Sequence, residues 1–498
     1  MDGGGSSTLD LDSRVPMRWP CGPLEIERGQ RREGFTAREA EALERWCDPR
    51  SLDLVAGTPV NDLVVTWAEG SVGDEGHQQA LAPLIGAARR RGLSVIGWVG
   101  TGADLKRAAG TAQASGLEAI ATESREPVSG GSVLRFRERG LSDRSPSDFL
   151  GVAGTVWPGA AASLPAGADA ASGPTGPPWL DSNAWYVRLA RTLVDPKVLW
   201  LSFDPPDLGQ PVTAASYLQA IADTEVCGAR WVVSLDPHLR LGLLDRRASA
   251  LETWAGIGRS LAFFGKHRAW TSYLPVGQLG VVSAYGGTDE FLSFEVLNLL
   301  ARQSCLYRIL EKSRALEAPF DGLDAVLYVD QAPPRRDLAR KLYAFAEGGG
   351  TLITPPGWEE RGVRDDDAWL SRFRVFAYGR GRLAVARGEL ADPYLLAEDA
   401  QLLVSHRRDR VRVFNAGTAQ FHHATSGDGR SGVLHALVFP MPYPRSEMTA
   451  WFLQPWARAR VYLVETGEPM PADRAEVEPG VEFHLPPVPL YCALEVSA

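Results

Sequence analysis

Leu63-Val64-Val65-Thr66-Trp67, Leu93-Ser94-Val95-Ile96-Gly97-Trp98-Val99 and Leu117-Glu118-Ala119-Ile120-Ala121-Thr122-Glu123 are three short apolar runs separated by amphipathic segments. The segments between them, Glu75–Arg91 and Asp104–Ser115, read as helices, the second stopped by Gly116. Strand, helix, strand, helix, strand implies parallel pairing, because parallel neighbours need a crossover. Working outward, the alternation continues on both sides. Upstream, Thr36 precedes a helix over Ala37–Cys47 with Glu39 at its third position, a capping box. Leu24–Glu27 reads as the first strand, and residues 1–18 as a flexible lead. Downstream, Val133–Arg137 and Phe149–Trp157 read as strands five and six. A Gly/Ala/Pro-rich loop at 158–178 is expected to be a surface excursion over the mouth of the sheet. Then come helix Ser182–Val194, strand Lys197–Phe203, helix Val212–Val226, strand Ala229–Leu235 and helix Ala248–Lys266. Eight strand–helix units over about 250 residues predict a (β/α)8 or TIM barrel, which we place at 19–272.

A second unit follows, expected over 273–390. Gln278–Ala284 reads as a strand, Glu290–Ser313 as one long helix, Asp324–Val329 as a strand, Asp337–Glu347 as a helix and Gly350–Thr354 as a strand. This predicts a flavodoxin-like α/β domain. From about 375 the helical pattern stops. Val411–Asn415, Gly432–Pro440, Ala459–Val464, Val481–Leu485 and Tyr491–Val496 are short runs between turns, which predict an antiparallel β-sandwich over 391–498.

The composition narrows the function. The chain has 498 residues and a formal net charge of −9, which argues against a general nucleic-acid binder. The Arg89–Arg90–Arg91 run closes a predicted helix, where basic side chains oppose the negative end of its dipole. No apolar run reaches the roughly 18 residues of a membrane span. Cys21, Cys47, Cys227, Cys305 and Cys492 form no CxxC pair, so no zinc knuckle or redox motif is visible. Scattered thiols and a Met1–Ser7 start unlike a signal peptide favour the cytoplasm, with export after loss of a leader still open. There is no GxSxG elbow and no GxGxxG or phosphate loop. His422 and His423 are adjacent, so in a strand they face opposite sides and cannot share a metal. His238 and His267 lack a paired ligand spacing. No cofactor and no metal are expected.

The stretch Leu323-Asp324-Ala325-Val326-Leu327-Tyr328-Val329, the turn Glu347-Gly348-Gly349-Gly350-Thr351-Leu352 and the ending Phe483-His484-Leu485-Pro486-Pro487-Val488 with Tyr491 carry a resemblance. In this order of parts the chain resembles the glycoside hydrolase family 42 β-galactosidases. Those proteins join a catalytic barrel to an amidotransferase-like trimerisation domain and a small β-domain. The resemblance implies a glycoside, oligosaccharide or polysaccharide substrate and a homo-oligomer, by analogy a trimer. It covers 275–498 best and is architectural over 19–270. The Asn-Glu pair that the family uses for its catalytic acid is absent. The middle domain also lacks the cysteine of a working amidotransferase, since Gly350–Thr354 runs into Pro355-Pro356-Gly357, and Cys305 falls within the predicted long helix as a structural thiol. That domain reads as scaffold.

Barrel active sites form at the C-terminal strand ends. The carboxylates there are Glu69 after strand two, Glu123 after strand four, Asp204 after strand seven and Asp236 after strand eight. Glycoside cleavage needs two carboxyl groups across the bond. By analogy with barrel glycosidases, which carry them on strands four and seven, Glu123 would be the acid and Asp204 the nucleophile, with Asp236 a further candidate. The competing reading is structural: such acids cap the next helix, and Asp204-Pro205 and Asp236-Pro237 are turn dipeptides. Trp67, Trp98 and Trp157 also fall near strand ends, where indoles could stack on sugar rings beside Glu69; core filling is the alternative. Asp181, Asn183 and Trp185 follow the long loop and are candidates for gripping hydroxyls, although Asp181 or Ser182 could simply cap a helix. Two functions therefore stand: a hydrolase with paired carboxylates, or an inactive barrel that binds carbohydrate or supports an assembly.

Overall fold

The computed structural model describes residues 10–128, 132–141, 143–161, 179–206, 211–303, 305–365, 371–404, 409–439 and 447–498. Most of the expected excursion at 158–178 lies outside them. The chain packs as two compact units. The first comprises Met1–Gly140, Ser145–Trp157 and Val194–Lys266, and the second Leu141–Arg144, Pro158–Leu193 and His267–Ala498.

The first unit is a barrel. Its strands are β1 (Pro16–Arg18), β2 (Asp62–Ala68), β3 (Ser94–Val99), β4 (Ala119–Thr122), β5 (Val133–Glu138), β6 (Phe149–Ala153), β7 (Val198–Ser202) and β8 (Arg230–Trp231). Each pairs in parallel with the next. Just past β8 the ring shuts: Arg18 N donates to Val233 O at 2.8 Å and Val233 N to Pro16 O at 2.9 Å. Alternation along the strands sends Val64, Ile96, Leu134, Phe136, Val198 and Trp200 into the interior, where they form one packed cluster. The opposite faces meet the helices.

One expected strand is a helix. Leu24–Glu27 lies within α1 (Pro23–Gln30), and β1 comes from the stretch read as flexible lead. Gly22-Pro23 is the reason, since proline at the first position suits a helix start. The capping box at Thr36 is present: Thr36 Oγ1 accepts from Glu39 N at 3.2 Å and Glu39 Oε2 accepts from Thr36 N at 2.8 Å, opening α2 (Ala37–Trp46).

In the second unit, parallel strands run in the spatial order Tyr307–Glu311, Leu279–Ser283, Ala325–Tyr328, Thr351–Thr354 and Gly381–Ala386. This 2-1-3-4-5 order is the flavodoxin-like one. The long helix expected over Glu290–Ser313 ends at Arg302, and Tyr307–Glu311 is a strand. Cys305 therefore sits in the connection between them, buried, its thiol pushed up to about 12 by burial. The helical pattern also does not end at 375, because Pro393–Val404 is a helix. Trp185 of the Ala184–Leu193 helix packs against Phe294 at 5.3 Å, and Arg188 Nη2 donates to Tyr307 O at 2.6 Å. Two antiparallel sheets complete the unit. Ala419–Thr425, Ser431–Val438, Tyr491–Ser497 and Arg458–Leu463 lie in one, and Val411–Phe414, Met448–Phe452, Val481–Leu485 and Asp473–Glu476 form the other. Phe421, Leu434, Phe452, Val461, Phe483 and Leu494 join them in one core, the sandwich arrangement.

His422, His423 and His435 are buried in this sandwich, and burial depresses all three, His423 to about 4 and His435 to about 3. An unfolded histidine titrates near 6.5. Folding therefore excludes protons that the unfolded chain takes up below that value. The resulting stability is complete above about pH 6.5 and falls as the pH drops towards 4 and 3. Thermal unfolding should show a lower midpoint at pH 5 than at pH 7.5, and His435→Phe should narrow the difference. An unchanged difference would contradict the linkage.

Candidate active site

After β1 the chain turns at Gly22, whose φ is +89°. A Cβ there would meet the His77 ring at 2.8 Å, so only glycine fits. His77 Nδ1 accepts from Leu24 N at 3.2 Å, and its Nε2 lies 2.9 Å from Thr66 O, which suits a neutral ring donating from Nε2. Burial lowers the His77 pKa and so maintains that state. These bonds fix the start of α1 against β2, so that Glu25 reaches the strand end. Glu25 Oε1 accepts from Thr66 Oγ1 and from Arg28 Nη1, the latter at 2.9 Å. Arg28 Nη2 donates to Glu69 Oε1, tying the two carboxylates together.

Across the mouth, Asp204 follows β7 with its side chain 65% exposed. It accepts from Ser234 Oγ at 2.6 Å, and Arg18 Nη1 lies 4.0 Å from its other oxygen. Between these groups is a cavity of about 290 Å³ whose wall includes Arg18, Glu25, Arg28, Asp204, Ser234 and Arg240. It opens at the C-terminal end of the strands, where barrel sites form. Burial lowers the Arg240 pKa, and the charges of Glu25, Asp204 and Asp236 oppose that shift.

The expected residues divide sharply. Asp204 faces the cavity with an open carboxylate. Asp236 also reaches the wall, but it caps the Pro237–Leu244 helix: Oδ1 accepts from His238 N at 2.9 Å and Leu239 N at 3.0 Å, and Oδ2 accepts from Tyr217 Oη at 2.8 Å. Its side chain is the N-cap of that helix. Glu123 is exposed and does not line the cavity. Glu69 is beside it, engaged by Arg28. Trp67 is fully buried and donates from Nε1 to Ala108 O at 3.2 Å and Thr111 Oγ1 at 3.1 Å, leaving no face for a sugar. It points away from the barrel axis, because odd positions of β2 face the helices. Trp98 lies in the barrel interior, 5.0 Å from Phe136, with Arg18 over its ring at 5.6 Å. Trp157 packs edge-on against Phe203, Tyr217 and Trp231. Asp181, Asn183 and Trp185 belong to the second unit, with Asn183 and Trp185 buried in it.

Glu25 and Arg240 were missed. Both lie on helices that the sequence reading did not find, although Gly22-Pro23 and Asp236-Pro237 carry the start signal of proline at the first helical position. Among the described residues no group of three or more His, Cys, Asp or Glu side chains could hold a metal ion, and no helix is long and apolar enough to cross a membrane.

The whole chain aligns with a solved α-L-fucosidase, isoenzyme 2 from Paenibacillus thiaminolyticus, at a TM-score of 0.58. The match covers 97% of this chain and 99% of that one at 11% identity. The chain shares the fold of that protein. Looser matches include a β-galactosidase from Bacillus circulans sp. alkalophilus and a GH42 β-galactosidase from G. stearothermophilus, at TM-scores of 0.41 and 0.40. Each covers 86% of this chain and 68% of the other at 11% identity. No protein-family model and no curated protein matches the sequence.

If Asp236 serves the fold, Asp236→Ala should lose about 1–3 kcal/mol in urea unfolding, through the cap and the carboxylate acceptor of the Tyr217 hydroxyl proton. Tyr217→Phe should be non-additive with it. An unshifted midpoint would contradict the cap role.

Proposed function

We propose that the barrel unit hydrolyses O-glycosidic bonds, with Asp204 and Glu25 as its paired carboxylates. The observation that carries this reading is the cavity itself, at the C-terminal strand ends of a barrel that shares the fold of a solved α-L-fucosidase, and lined by both groups. Asp204, open to the cavity and aligned by Ser234, serves as nucleophile or base. Glu25 takes both of its hydrogen bonds on Oε1, which leaves Oε2 to act on the leaving oxygen. Arg28 orients Glu25 and links it to Glu69. The substrate is a glycoside, and the second unit is an assembly element that gives a homo-oligomer.

A second reading has one observation in its favour. Of Glu123, Asp204 and Asp236, only Asp204 presents an open carboxylate to the cavity, which suits a barrel that binds saccharide without cleaving it.

A panel of activated aryl glycosides separates the two. Asp204→Asn and Glu25→Gln should each reduce turnover of the accepted glycoside by about 10²–10⁴-fold, with circular dichroism unchanged. Binding without turnover by the unmodified protein would favour the second reading. For the assembly role, light scattering should give a mass above the 54.0 kDa of one chain; a strict monomer would contradict it.

A further inference from the structure

The arginines of the cavity are unequally employed. Arg28 bonds Glu25 and Glu69, and Arg32 bonds Glu39. Arg18 and Arg240 differ. Among the described residues neither guanidinium donates a hydrogen bond: Arg18 stands 4.0 Å from Asp204 over the Trp98 ring, and Arg240 lies in the field of Glu25, Asp204 and Asp236 without ion-pair contact to any of them. A guanidinium is a fixed fork of five donors and stays charged, so a partly desolvated one calls for acceptors.

The acids of the wall are bonded elsewhere. Glu25 is bonded by Arg28, Glu39 by Arg32, and Asp236 by its cap amides and Tyr217. Asp204 bonds Ser234 and stands 4.0 Å from Arg18, so neither the Arg18 nor the Arg240 fork is filled by a carboxylate of the wall. A neutral sugar offers such forks only hydroxyl oxygens, whereas an oxyanion would take paired, charge-assisted bonds from both.

Resting on the hydrolase reading for the place of the sugar, we propose that the cavity selects an acidic sugar, and that Arg18 and Arg240 grip its oxyanion, a carboxylate or a sulfate ester. Arg18 and Arg240 then determine specificity, while Asp204 and Glu25 act on the bond.

Calorimetric titration of the full chain with glucuronate and galacturonate, against glucose and galactose, tests this without requiring turnover. The acidic sugar should bind at least about tenfold more tightly than its neutral counterpart, with the preference shrinking as salt rises. Arg240→Gln and Arg18→Gln should each cut the acidic-to-neutral ratio about tenfold, and Arg240→Lys should restore part of it; melting curves verify that the variants fold. Glucose 6-sulfate and galactose 6-sulfate form a second arm: tighter binding than the uronates identifies the anion as a sulfate ester, weaker binding as a carboxylate. Equal affinity for acidic and neutral sugars in the unmodified protein overturns the proposal. Acidic preference without hydrolysis of any aryl uronide would sink the hydrolase reading and leave the anion site standing. Hydrolysis of neutral glycosides with no acidic preference would do the reverse.

Discussion

Three residues close the ring. Pro16–Arg18 forms the strand that pairs with β2 on one side and with Val233 on the other, through two backbone hydrogen bonds. Without it the sheet would have two raw edges, and the interior cluster around Trp200 and Phe136 would open to water. The same closure shapes the cavity. It puts Arg18 at the rim beside Asp204, and it sends the chain through Gly22 into α1, which lays Glu25 over the end of β2. The cavity is a consequence of the seam.

That dependence explains why residues distant in sequence converge. Glu25 and Thr66 lie on consecutive strand–helix units, while Asp204 and Ser234 come from the last two. Only a closed ring makes the first unit a neighbour of the eighth. The His77 ring, bonded to both Leu24 and Thr66, locks the first unit to the second, and its burial as a neutral ring keeps that lock intact near neutral pH.

Much of the architecture was legible from periodicity. β2 through β7 were each marked by short apolar runs, and the alternation of strands with helices predicted parallel pairing. β1 was not legible, because Pro-Met-Arg is too short and too mixed to show a period of two. Leu24-Glu25-Ile26-Glu27 did alternate, but four residues also fit one helical turn, and Pro23 decided for the helix. In the second unit, Tyr307–Glu311 followed a helix after only a short break, so its pattern merged with that helix. Pro393–Val404 lacked a polar face to mark it, since Leu396, Ala397, Asp399 and Ala400 are all buried. The site suffered most from these misreadings. Asp204 was legible as an acid after a strand, whereas Glu25 and Arg240 sat on unread helices. For Glu123, position after a strand placed it near the rim but not in the cavity.

The most direct test of the account is a crystal structure of the protein with a bound aldonolactone or iminosugar that mimics the flattened, charged ring of glycoside cleavage. The account predicts electron density for that ring in the rim cavity, with Asp204 and Glu25 on either side of its anomeric carbon. A ring bound elsewhere, with the cavity holding solvent alone, would contradict it.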